Sequence, residues 1–153
     1  MSATTGSARF SPEVIARGRE IFNALKSARR VLVTSEPYPD GDAFGTELAL
    51  DHVCRHAFAV AGNPDARVYL VNEKGCPRKY RFMSGSEKIR KLDAVFEEEL
   101  ARERERVEDR RGPAEAQRRW DFDVGIVVDG GAERAGPAAK ELFDRCKTRI
   151  IID

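Results

Sequence analysis

Four short apolar runs constrain this chain more than any other feature. They are Val31–Thr34, Val68–Val71, Phe122–Val128 and Ile150–Ile152. None alternates apolar with polar along its length, as a strand with one wet face would. A continuously apolar run of this length, bounded by turn residues, fits a strand covered on both faces. Stretches with helical spacing separate the runs, and alternating strands and helices define an α/β chain. The predicted fold is a Rossmann-like parallel sheet with helices on both faces.

The segments between the strands carry local signals. Ser11 before Pro12 reads as an N-cap with proline at the first helical position. Ile15, Ile21, Phe22 and Leu25 then recur at helical spacing to about Ala28. Pro37, Pro39 and Gly41 make a loop after the first strand. A second helix is predicted from about Ala43 to Ala61. Its apolar residues, Leu48, Leu50, Val53, Cys54, Ala57, Phe58 and Val60, cover more than one face and predict a largely buried helix. His52 and His56, four apart on it, lack the glutamate of a zinc-protease motif and read as core or supporting histidines. Pro77–Met83 reads as a short helical or irregular piece, and Ser86 as the cap of a further turn through Leu92. A last helix is predicted from Pro137 to Cys146. Residues 1–10 read as a disordered tail. From about 97 to 119 the sequence becomes a charged helical excursion, interrupted by Gly112 and Pro113.

With 153 residues, the chain is long enough for one domain with a core of its own. Its 27 Lys and Arg against 26 Asp and Glu give a net charge of +1, which excludes a polybasic or acidic tail but not a local basic groove. Cys54, Cys76 and Cys146 are odd in number and far apart, so they form no disulfide framework, and they read as small apolar packing groups. No secretory leader and no membrane-length apolar run is visible in the sequence. The expected setting is cytoplasmic, with no membrane partner.

The chemistry concentrates after the strands, where open parallel sheets bind ligands. Asp40 and Asp42 follow the first strand, Asp129 the third and Asp153 the fourth. Two carboxylates one residue apart repel unless a cation lies between them. Hard divalent cations take such oxygens, and converging carboxylates suit phosphoryl chemistry. Gly45 and Thr46, near the start of the second helix, are the candidate phosphate contacts. Asp129 or Asp153 alone would as readily cap a following helix, whereas for Asp40 with Asp42 the cation reading is the stronger. A calcium loop running from Asp40 through Gly45 to Asp51 is a weaker match. Phe44 takes its fifth ligand position, and Pro37 and Pro39 stand where a helix is required.

The order of these motifs resembles one family. Val31–Thr34 followed by Pro39, Asp40, Gly41, Asp42, Ala43 and Gly45 is similar to the first motif of the DHH phosphoesterases. Val127–Asp129 with Glu133, Arg134 and Gly136 is similar to the second. Arg149–Asp153 looks like the strand that enters the name-giving Asp-His-His. Lys79–Phe82 and Gly85 resemble the stretch after the second strand in the oligoribonuclease branch. The superfamily also includes RecJ-type exonucleases, phosphoadenosine-phosphate phosphatases and cyclic-dinucleotide phosphodiesterases.

The resemblance implies that residues 11–153 are the N-terminal portion of a DHH domain. It implies metal-dependent hydrolysis of phosphoester bonds in nucleotides or short single-stranded nucleic acids. Asp40, Asp42, Asp129 and Asp153 would be the catalytic residues. Asp40, Asp42 and Asp129 would hold Mn2+ or Mg2+, as two ions in the intact protein, and a homodimer stays open. The chain departs from the pattern at Glu36, where the family carries histidine, so metal ligation by Glu36 is the weakest of these assignments. The histidines of the third motif, the fourth-motif aspartate and the substrate domain have no counterpart among the 153 residues. These residues alone are therefore expected to be an inactive fragment. Those departures motivate the alternative of a non-catalytic nucleotide-binding or regulatory module. Arg78, Lys79 and Arg81, with Tyr80 and Phe82 between them, suit either a phosphate and a base or plain edge packing.

Overall fold

A computed structural model describes residues 10–98 and 121–153. The tail up to residue 9, and all of the charged excursion beyond residue 98, lie outside them. Five parallel strands form one sheet: β1 (Arg30–Thr34), β2 (Arg67–Asn72), β3 (Ile89–Lys91), β4 (Val124–Val128) and β5 (Thr148–Ile152). Their order is β3-β2-β1-β4-β5, so β1 is central, with β2 on one side and β4 on the other. This is the α/β fold that the apolar runs predict.

Helices α1 (Pro12–Ser27), α2 (Gly41–Val60) and α3 (Pro137–Asp144) pack on this sheet. Ser11 caps α1, its hydroxyl accepting from the Val14 amide at 3.3 Å, with Pro12 opening the helix. The pleat of β1 explains why its run is apolar throughout. Val31 and Val33 face one layer with Leu25 of α1 and Phe44, Cys54 and Phe58 of α2. Leu32 faces the other with Val127, Leu92, Val95 and the α3 residues Ala139, Leu142 and Phe143. Helices cover both faces, which is what parallel strands require.

Three local expectations change. The 86–92 stretch is not one helical turn: a 3-10 turn at Ser86–Lys88 leads into edge strand β3, and helical residues 92–98 follow. Three residues are too few for a period-two pattern to be legible. Helix α2 begins at Gly41 rather than Ala43, because Asp40 is its cap. It is buried along one face only, with Val53 42% and Val60 57% exposed. Glu47 and Asp51 lie on its buried face, and both histidines, expected in the core or a supporting position, lie on the exposed side.

Asp51 is neutralised by Arg55 at 2.8 Å and Lys88 at 2.7 Å, its own side chain fully buried. Burial raises its pKa, but the two cations outweigh that and hold the carboxyl below its usual range. With both its oxygens taken, Asp51 cannot close a calcium loop. Cys54 and Cys146 are buried and their thiols are pushed up to about 12, mainly by burial, so both stay protonated packing groups.

Gly125 of β4 sets how closely α3 approaches the sheet. A Cβ there would stand 2.6 Å from Cys146 Sγ and 2.9 Å from a Phe143 ring carbon. Gly125→Ala is expected to destabilise the fold by about 1–3 kcal/mol through overpacking. Urea unfolding measures this, and an unchanged midpoint would mean that α3 is not seated so closely.

Candidate metal centre

The strand order locates the site before any side chain does. The chain grows from β1 toward β2 and β3, then returns to build β4 and β5 on the other side. The loops after β1 and β4 therefore diverge, leaving a crevice at the carboxyl ends of adjacent strands. Asp40 and Asp42 come from one side of this switch point and Asp129 from the other.

Each carboxylate is aimed by local backbone. Asp40 is the N-cap of α2, and its Oδ1 accepts from the Ala43 amide at 3.3 Å. Asp42 lies in the first turn of that helix, where the free amides and dipole favour negative charge. Asp129 ends β4 in the left-handed region, at φ 57°, which aspartate tolerates better than most residues. Its amide donates to the Ile152 carbonyl at 3.1 Å, anchoring the turn to β5. Ligand oxygens of Asp40, Asp42 and Asp129 all lie within 4.8 Å of one another.

Electrostatics follow from this crowding. Asp40 and Asp42 lie so close that a proton taken up by Asp42 is held in a hydrogen bond to Asp40. That bond, then the charges of Asp40 and Asp129, push the Asp42 pKa up. The same bond, with the Ala43 amide, holds the Asp40 pKa down. Three converging carboxylates, two of them exposed, form an all-oxygen donor set that fits Mn2+ or Mg2+. Asp40 thus fulfils both expectations at once: it caps the helix and lies in the cluster.

The other candidates stay outside the cluster. Glu36 accepts a hydrogen bond from Arg134 at 2.5 Å across the crevice, and that pair takes its carboxylate. Asp153 is exposed at the end of β5, one position beyond the Val128–Ile152 pairing. Gly45 and Thr46 are half-buried in the second turn of α2, past the point where intrahelical bonding begins with the Phe44 amide.

A buried polar network lies under the crevice, and the apolar patterning did not point to it. Asn72, the last residue of β2, donates through Nδ2 to both oxygens of Glu47, at 2.9 and 3.1 Å. Its Oδ1 accepts from the Ser35 amide at 3.1 Å, from Ser35 Oγ at 3.3 Å and from Thr34 Oγ1 at 3.4 Å. Burial raises the Glu47 pKa to about 7, against hydrogen bonds to Ser35 and Asn72 that lower it. The network fastens the start of the β1–α2 loop to β2 and to the helix that carries Asp42. Its trace in the sequence is the spacing of Glu47 from Phe44, Leu50 and Cys54, which puts it on the buried face.

Fold and site together define an α/β protein with a three-aspartate crevice at its switch point. Searches against protein-family models, curated proteins and solved structures find no match for this chain. Among the described residues, no helix is long and apolar enough to cross a membrane.

Proposed function

We propose that this chain belongs to a DHH-type phosphoesterase and that its crevice serves metal-dependent hydrolysis of phosphoester bonds in nucleotides or short oligonucleotides. The observation that carries this reading is the meeting of Asp40, Asp42 and Asp129 at the switch point. The first two motifs of the resemblance supply those same three residues. Asp40, Asp42 and Asp129 would hold the ions. When bound, divalent ions polarise phosphoryl oxygens and acidify water. The chain's own part is to fix the carboxylates: the α2 cap aims Asp40, the left-handed turn aims Asp129, and the Glu47–Asn72 network holds the loop between them.

The test is manganese and magnesium titration of the intact protein with short RNA, phosphoadenosine phosphate and cyclic dinucleotides. Hydrolysis is expected to require metal. Asp129→Asn should lower it by more than the roughly 10–100-fold that loss of an outer partner costs. Absence of hydrolysis of every substrate, with metal bound, would overturn the enzymatic reading. The Glu36–Arg134 pair favours a second reading, a module that binds nucleotides without turnover, because it occupies the position where the family places a metal-binding histidine. Nucleotide binding with no turnover would select it.

A further inference from the structure

The turn after β2 carries a surface that the metal centre does not use. Arg78, Lys79 and Arg81 are all exposed, and none has a carboxylate partner among the described residues. Between them, Tyr80 packs its ring on Phe44 of α2, centroids 5.0 Å apart, with Lys79 Nζ over the Tyr80 ring, 4.6 Å from its centroid. A Tyr80 ring carbon also lies 3.5 Å from where a Cβ of Gly41 would stand. Gly41 is the residue between Asp40 and Asp42, so this turn is seated against the metal loop itself. The next aromatic, Phe82, is 83% exposed, and Tyr38, two residues before Asp40, is 78% exposed.

Phe82 stands exposed among these cations, with Tyr80 beside it in the turn. Cations that track a phosphate backbone, beside rings on which bases stack, are the recurring composition of single-strand binding surfaces. The anchored Tyr80 makes the arrangement rigid, since the ring ties the turn to the first residue of α2. The charge also selects the partner. Three cations with no carboxylate partner among the described residues, on a turn seated against the acidic loop, suit a polyanion whose phosphate reaches the cluster and whose neighbouring units lie on the turn.

We propose that residues Arg78–Phe82 form a nucleotide subsite for a single-stranded nucleic acid. Arg78, Lys79 and Arg81 take its phosphates and Phe82 stacks on a base next to the reacting phosphate. The subsite deepens the phosphoesterase reading and rests on it for the position of that phosphate.

The experiment measures binding of fluorescein-labelled pentauridylate to the full chain by anisotropy, across a salt series in metal-free buffer. Manganese binding is measured separately by electron paramagnetic resonance. The triple variant Arg78→Ala, Lys79→Ala, Arg81→Ala is expected to bind about 100-fold more weakly. Its salt dependence should fall by about 2 in log–log slope, since each single-strand phosphate contact contributes about 0.7. Phe82→Ala should weaken binding about 10-fold with the slope unchanged, and Phe82→Trp should retain it. Arg78→Lys with Arg81→Lys should keep the slope, which separates lost charge from lost folding. Wild-type affinity in all variants, or no binding by the wild type, would overturn the subsite. So would displacement of the oligonucleotide by polyglutamate as readily as by unlabelled RNA, because an acidic peptide offers no base to stack. If manganese binds while the variants match wild type, the subsite fails and the metal reading stands. If manganese does not bind while the variants lose affinity as expected, the subsite stands and the metal reading fails.

Discussion

Saturating manganese is expected to raise the thermal midpoint of the wild-type chain by about 5–10 °C and to raise that of Asp42→Asn or Asp129→Asn far less. A ligand that binds only the folded state stabilises it by mass action, and folding is what brings these three carboxylates together. In metal-free buffer the order changes. Asp42→Asn removes one of three converging charges and places an amide that can donate to Asp40, so this variant should unfold no earlier than wild type. Asp40 needs a separate control because it also caps α2. Asparagine caps as well as aspartate, so Asp40→Asn removes ligand charge alone. Asp40→Ala loses the cap too and should melt roughly 2–4 °C lower without metal. Equal metal stabilisation of wild type and all the asparagine variants would mean that these residues hold no ion.

Glu47 should make the fold less stable as pH rises from about 5 to 8. Its carboxyl titrates at about 7 in the folded protein against 4.5 as the ordinary value, because burial penalises the charged form. The folded state therefore holds a proton between those two values that the unfolded state has released. Stability from this group is complete below about 4.5, declines through the interval and is lost above about 7, a total of about 3 kcal/mol. Glu47→Gln has no proton to lose and still presents an oxygen to Asn72. Its unfolding free energy should be flatter with pH, so that it exceeds wild type at pH 8 and not at pH 5. Urea unfolding of both proteins at the two pH values decides this. A parallel decline of the two would mean that Glu47 is not the titrating group.

The framework was legible because burial on both faces leaves a plain mark. Val31, Leu32 and Val33 are all apolar because alternate residues enter different layers. Pro12 similarly marked where α1 opens. Strand β3 was not legible, since Ile89–Lys91 buries only its first residue. The burial of α2 was overestimated because hydrophobicity alone cannot tell a buried valine from Val60 on a wet face. At the site, the three aspartates were readable from their positions after strands. Glu36 was not, because its fate depends on Arg134, 98 residues away. The Glu47–Asn72 network was hidden for the same reason: each residue is an ordinary polar one until β2 and α2 meet.

The central claim is that Asp40, Asp42 and Asp129 together hold a divalent ion. Titration of the chain with manganese, counting free ion by electron paramagnetic resonance, tests it most directly. The account predicts saturable binding by wild type, retained in Glu36→Gln and lost in Asp129→Asn. Free manganese rising from the first addition in wild type, or saturable binding that survives Asp129→Asn unchanged, would contradict it.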